Sequence, residues 1–336
     1  MILSVSTVKD TVPNLEKFVR RNLAGGIDHL LVFLDDEQPE AAELLKAHPQ
    51  VTCVQTHRRW WHGQRPRGLN ERQGRNAALS VRILSEFDWA DWVFHIDGDE
   101  VVDLDRDILD AVPAGERVVT LEPWEAVSRL RWGHDPTWFK TLLDDDQLVL
   151  LSMLGLIPRP NNKAYFRGHI AGKVGVRPAA DLRIAIHAVA DQDGGRVEPH
   201  ERAVGRVLHY ESPDGEEFAR KWQALIRSGP APSQRSGRAA TGRAVKALLD
   251  LGLTPEEAEP FLLRMFEVTG LDDFETLRDL RLLREVDPDT WVRTPESLPE
   301  GAAQALRAAL RQERREKRVG DWPGAEAPPG PAPDEG

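Results

Sequence analysis

A single cysteine, Cys53, occurs among the 336 residues. No disulfide can form within the chain, and a reducing compartment is the simple expectation. Nor does any apolar run approach the ~20 residues of a membrane span. The first residues, Met1-Ile2-Leu3-Ser4-Val5-Ser6, lack the basic start and long apolar core of a secretory signal. A cytoplasmic protein is expected. Positive charge is scarce: 44 Lys and Arg stand against 55 Asp and Glu, a net charge of −11, which argues against nucleic acid as the main partner. The chain has no Gly-x-Ser-x-Gly turn and no internal repeat, and Cys53 falls inside a strand pattern, so no covalent nucleophile is apparent. Tyrosine occurs only twice, whereas tryptophan occurs ten times.

Forty per cent hydrophobic residues suffice for a core. The first half alternates strand and helix. Residues 2–8 read as a strand, and Asp10 or Thr11 can cap a helix whose apolar stripe is Val12, Leu15, Phe18, Val19 and Leu23. Strands are expected again at 30–34, 51–55 and 92–96, with helices from Pro39 and over about 70–86. Such alternation predicts a doubly wound α/β sheet. Strand-like pieces follow at 117–122, 163–167, 173–177, 182–189 and 206–210. A Pro/Ser/Gly-rich linker spans 228–237, with helices expected at 238–251, 255–268, 272–285 and 300–318. Residues 319–336 have the composition of a disordered tail.

The segment Trp92-Val93-Phe94-His95-Ile96-Asp97-Gly98-Asp99-Glu100 carries an apolar strand straight into carboxylates. Ligands of open α/β sheets bind at the carboxyl ends of strands. Asp97 and Asp99, two apart, share one side of an extended backbone. Hard oxygen donors of this kind suit Mg²⁺ or Mn²⁺ carrying a diphosphate; an acidic Asp-Gly turn is the alternative.

The order of these pieces resembles the family 2-like glycosyltransferases with the GT-A nucleotide-sugar-binding fold, over residues 1 to about 222. The resemblance rests on Ser6-Thr7-Val8-Lys9-Asp10, Gly26-Ile27-Asp28-His29, Arg72-Gln73-Gly74-Arg75-Asn76, Asp97-Gly98-Asp99-Glu100, Lys173 to Pro178, and His209-Tyr210. Asp35-Asp36-Glu37-Gln38 departs from the family's pattern, and 124–162 matches poorly. The resemblance implies a GT-A-like mixed sheet over 1–227 with a helical C-terminal region, 238–318. It further implies transfer of a sugar from a nucleotide diphosphate donor to an acceptor hydroxyl on a glycan or lipid-linked glycan. Asp97, Asp99 and His209 would hold Mn²⁺ or Mg²⁺, with His187 as the second choice of histidine. Thr7, Lys9, Asp36, Arg72 and Asn76 would hold the nucleotide.

Glu125 is the candidate base of an inverting transfer, beside an acceptor wall of Trp124 and Trp132. The helix ending in Arg311, Arg314, Arg315, Lys317 and Arg318 would offer contact with an anionic membrane surface. Two alternatives stand beside this reading. One is a sugar nucleotidyltransferase, against which the glycine-free Ser4-Val5-Ser6-Thr7-Val8-Lys9 counts. The other is a catalytically silent glycan-binding protein on the same fold.

Overall fold

A computed structural model describes residues 1–227 and 236–316. Most of the expected linker, the expected tail, and Lys317 and Arg318 lie outside the described residues. From the N-terminus the elements are β1 (Ile2–Val8), α1 (Val12–Ala24), β2 (His29–Leu34), α2 (Pro39–Ala47), β3 (Val51–Gln55), α3 (Leu69–Leu84), β4 (Trp92–His95), β5 (Glu100–Leu104), α4 (Arg106–Asp110) and β6 (Val118–Ala126). There follow β7 (Trp138–Lys140), α5 (Asp145–Met153), α6 (Asn162–Tyr165), β8 (Lys173–Val176), β9 (Arg183–Ile184), β10 (Val189–Ala190) and β11 (Gly205–His209). The last elements are α7 (Gly215–Arg227), α8 (Ser236–Asp250), α9 (Pro255–Thr269), α10 (Phe274–Asp279), β12 (Leu283–Glu285) and α11 (Ala302–Glu316). The fold is α/β with a mixed central sheet, as the strand–helix alternation predicts.

The chain forms two compact units: Met1–Glu122 with Ala171–Val207 and Pro288–Gly336, and Pro123–Ile170 with Leu208–Asp287. In the first unit β3, β2, β1 and β4 lie side by side and parallel. β8 runs antiparallel to β4, and Val118–Leu121 of β6 pairs antiparallel with β8. Side chains alternate across the central strands, and both faces are buried. Leu30, Val32 and Leu34 join Leu15, Phe18 and Leu23 of α1 on one face. Leu31 and Phe33 join Trp60, Trp61, residues of α3, and Leu306 and Leu310 of α11 on the other. Thr11 rather than Asp10 caps α1, accepting from the Asn14 amide. The C-terminal segment is tied to this unit by Arg293, which pairs with the fully buried Asp28 at 2.6 Å, a carboxylate that also meets Arg106 at 2.8 Å.

In the second unit β7 lies between residues 125–126 of β6 and β12. One core gathers Leu148, Leu151, Tyr165, Phe166, Phe274 and Leu277. A second gathers Phe218, Trp222, Val245, Leu262 and Phe266. Two local expectations change here. The strand predicted at 163–167 is the short helix α6, because the Asn161 side chain caps the Ala164 amide. The helix predicted over 272–285 stops at Asp279: Arg281 adopts φ 60° and Leu283 turns into a strand against β7. The expected helical region 238–318 is thus shared, with α8 to β12 in the second unit and Pro288 onward in the first.

Candidate functional site

In the first unit the carboxyl ends of β1, β2 and β4 bring most of the sequence-chosen residues onto one edge of the parallel sheet. Thr7 is buried, and its hydroxyl accepts from Asn76 Nδ2 at 2.9 Å, while Asn76 Oδ1 accepts from Trp60 Nε1 at 3.2 Å. Asn76 is fully buried, so it acts on the edge through Thr7. Arg72 is also buried. It forks onto Asp35 at 2.9 and 2.8 Å and donates to the carbonyls of Pro66 and Arg67 at 2.9 Å each. A guanidinium engaged in this way ties the end of β2 to the loop between β3 and α3. Both residues, expected as nucleotide contacts, are therefore positioning residues.

Lys9 and Asp36 stay accessible, 3.5 Å apart with 58% and 47% of their side chains exposed. Asp36 holds φ 102°, a region that disfavours any side chain and is stored at functional positions more often than elsewhere. Its carboxyl sits below the usual range: burial opposes this, but the Glu37 amide, Lys9 and Arg65 outweigh it.

Asp97 lies half-buried at the end of β4. Its Oδ1 accepts from Gln73 Nε2 at 2.6 Å and its Oδ2 meets Lys173 Nζ at 2.6 Å. Lys173 is completely buried and also lies 3.2 Å from Glu100, whose Oε2 accepts from the Asp97 amide at 2.7 Å. Opposite charges raise the Lys173 ammonium above its ordinary value in spite of burial.

This arrangement tests the implied metal. A hard divalent ion needs open carboxylate oxygens, and both oxygens of Asp97 are already engaged by donors. Asp97 is engaged through both oxygens as an internal acceptor and ion-pair partner. Asp99 is half-buried two residues on. His187 donates from Nδ1 to the Gly172 carbonyl at 2.8 Å, which fixes the tautomer with its lone pair on Nε2, the usual support of a ligating imidazole. His95, which the sequence reading passed over, is fully buried beneath Asp97, and burial pushes its imidazole down to about 4, with Lys173 adding to the effect.

The second unit holds Glu125 and His209. Glu125 lies 2.8 Å from Lys140, which is itself 3.0 Å from Asp272. It also accepts from the amides of Arg167, at 2.7 Å, and Gly168. Burial alone would raise the carboxyl, but Lys140, His209 and the backbone donors hold it at about 2. So weak and so occupied a carboxylate is a poor proton acceptor. The expected base is a structural acceptor.

Trp132 donates to the carbonyls of Val127 and Pro213 and packs edge-on against Phe274, and Trp124 is buried. Of the expected acceptor wall, Trp124 is buried and Trp132 is half-buried. His209 Nε2 lies 3.4 Å from Glu211, which pairs with Lys221 at 3.1 Å, and the His169 ring stacks on His209 at 4.8 Å. His169, His209 and Glu211 are side chains of the kind that ligate divalent ions. His169 was absent from the sequence reading because nothing in its local pattern marks it.

No family model matches the sequence, and comparison with curated proteins gives no match. Solved structures give distant likenesses. A Bacillus anthracis protein described as a glucose-1-phosphate thymidylyltransferase, in complex with sucrose, is 9% identical. It matches over 53% of this chain and 72% of its own, with a TM-score of 0.29. The inositol-1-phosphate CTP transferase from T. maritima is 10% identical over 43% and 60%, with a TM-score of 0.22. The bifunctional glycosyltransferase WbbM is 17% identical over 53% of this chain and 32% of its own, with a TM-score of 0.24. Likeness at this level says nothing of activity.

Proposed function

We propose that the chain is a nucleotide-sugar-dependent glycosyltransferase. The observation that carries this reading is the convergence of Thr7, Lys9, Asp36, Asp97 and Asp99 at the carboxyl ends of adjacent parallel strands, the usual ligand edge of such sheets. Lys9 offers a cation to phosphate, and Asp36, held in a strained conformation, offers acceptor oxygens to ribose or base. Arg72 and Asn76 keep this edge rigid from beneath. In the reaction the acceptor hydroxyl oxygen attacks the anomeric carbon of the donor. The bond to the diphosphate breaks, the nucleoside diphosphate leaves with the electron pair, and the hydroxyl proton passes to solvent or to a base not assigned here.

The metal part of the proposal rests on Asp99 and His187 in the first unit and on His209 in the second. A glycan or lipid-linked glycan is the proposed acceptor. No helix among the described residues is long and apolar enough to cross a membrane.

The test is incubation with a panel of nucleotide sugars, with Mn²⁺ or with chelator, following thermal stabilisation and release of nucleoside diphosphate. Donor-dependent stabilisation and release, both weakened in Lys9→Ala, are expected. Pyrophosphate formation from a nucleoside triphosphate and a sugar phosphate would point to the nucleotidyltransferase alternative. Stabilisation without turnover would point to the silent binder. No response to any donor would end the reading.

A further inference from the structure

The loop from His57 to Arg67, between β3 and α3, holds His57, Arg58, Arg59, His62, Arg65 and Arg67 and not one acid. In a chain of net charge −11 this is a strong local reversal. The loop is anchored from inside. Trp60 and Trp61, 2% and 1% exposed, are buried in the core and sit edge to face at 6.5 Å. Trp61 Nε1 donates to the Thr56 carbonyl at 3.0 Å, and Trp60 Nε1 donates to Asn76. Backbone bonds from Trp60 to His57, Gly63 to Arg58 and Gln64 to Trp61 close the turn. His62 and Gly63 complete it at φ 49° and 82°.

With the indoles turned inward, the cations are turned outward. His57, Arg58, Arg59 and His62, with Gly63 and Glu37, line an open pocket of about 730 Å³ within the first unit. Arg65 is committed to Asp35 at 2.8 Å. Arg58, Arg59 and Arg67 form no ion pair among the described residues. Guanidinium forks match phosphate geometry.

We infer that this pocket is a binding site for a phosphoryl group, with Arg58 and Arg59 as its principal contacts. The anchored indoles fix the backbone from which the two arginine side chains project, so the loop itself need not be ordered on binding. The phosphoryl group belongs either to the diphosphate of a nucleotide donor or to a phosphorylated acceptor. The inference stands without the transferase reading, since it concerns other residues and needs no nucleotide.

Titration calorimetry of the full chain with inorganic pyrophosphate and orthophosphate, at about 0.15 M salt to screen diffuse attraction, tests it. Saturable pyrophosphate binding is expected, weakened about tenfold or more by Arg59→Ala and further by Arg58→Ala with Arg59→Ala. Both side chains are exposed, so the unliganded melting temperatures should match. As a check free of mutation, pyrophosphate should protect Arg58 and Arg59 from phenylglyoxal, mapped by mass spectrometry. Displacement of pyrophosphate by nucleoside diphosphates would assign the phosphoryl group to the donor; simultaneous binding would assign it to an acceptor. Absence of saturable binding, equal binding of sulfate, or affinity unchanged in the double variant with no protection overturns the site.

Discussion

The Lys173 ammonium lies 2.6 Å from Asp97 Oδ2 with none of the lysine side chain exposed. Lys173 opens β8 and Asp97 lies just beyond the end of β4, strands that pair through Phe94 and Gly175. Lys173 is thus the built-in counter-ion of an acid cluster whose charge otherwise calls for an external cation.

Removing that cation should be costly. Lys173→Met leaves Asp97 and the fully buried Glu100 without their partner, and a loss of about 3–5 kcal/mol is expected in urea unfolding. Asp97→Asn, at a position 22% exposed, should cost less, because water reaches what the carboxylate leaves. A Lys173→Met variant as stable as the parent would show that the pair is not formed in solution.

Metal dependence should follow Asp99 and not Asp97. Where Mn²⁺ raises nucleotide affinity, Asp99→Asn is expected to abolish the effect and Asp97→Asn to leave it largely intact. Isothermal titration of nucleoside diphosphate with and without Mn²⁺ measures both. The reverse pattern would make Asp97 a ligand and require Lys173 to move aside.

Glu125→Gln separates a base from a structural acceptor. The substitution leaves buried Lys140 with Asp272 as its remaining carboxylate, so a stability loss of about 3 kcal/mol or more is expected. A base would instead give a stable, inactive protein. The folded Glu125 carboxyl is depressed from 4.5 to about 2. Its contribution is therefore present above pH 4.5 and is lost as pH falls toward 2.

Two buried histidines set a milder acid limit on the first unit. Burial lowers His29 and His95 each from 6.5 to about 4. Between these values the unfolded chain binds protons that the folded chain does not, so stability should decline as pH falls from 6.5 to 4. Unfolding curves across that range should flatten in His29→Gln, whose ring bonds Thr52 at 2.9 Å. Unchanged pH dependence would contradict a neutral buried imidazole.

Asp36→Gly should raise stability while lowering nucleotide affinity. Glycine adopts φ 102° without a side-chain penalty, a gain of about 1 kcal/mol. It removes the carboxylate paired with Lys9 and assigned to the nucleotide. A change in neither melting temperature nor affinity would leave the strained aspartate without a role.

Much of the first unit was legible in the chain because its signals are local. The apolar strands, the helix stripe of Leu15, Phe18 and Leu23, and the carboxylates after β4 each follow from periodicity over a few residues. The capping of α9 by Thr254 and Glu257 was legible for the same reason. Residue type also gave the acidic cluster and the Arg-rich loop. What each charge is bound to depends on residues far apart in sequence, and only tertiary structure decided it. Asp97 meets Lys173 across 76 positions and Glu125 meets Gly168 across 43; Asp28 meets Arg293 across 265. Those pairings make Asp97 an ion-pair partner of Lys173 and Glu125 an acceptor of backbone donors, and Arg72 in the same way meets Asp35 across 37 positions. A sequence names the donors and acceptors, but burial forces each to find a partner, and which partner is within reach is a property of the packed chain.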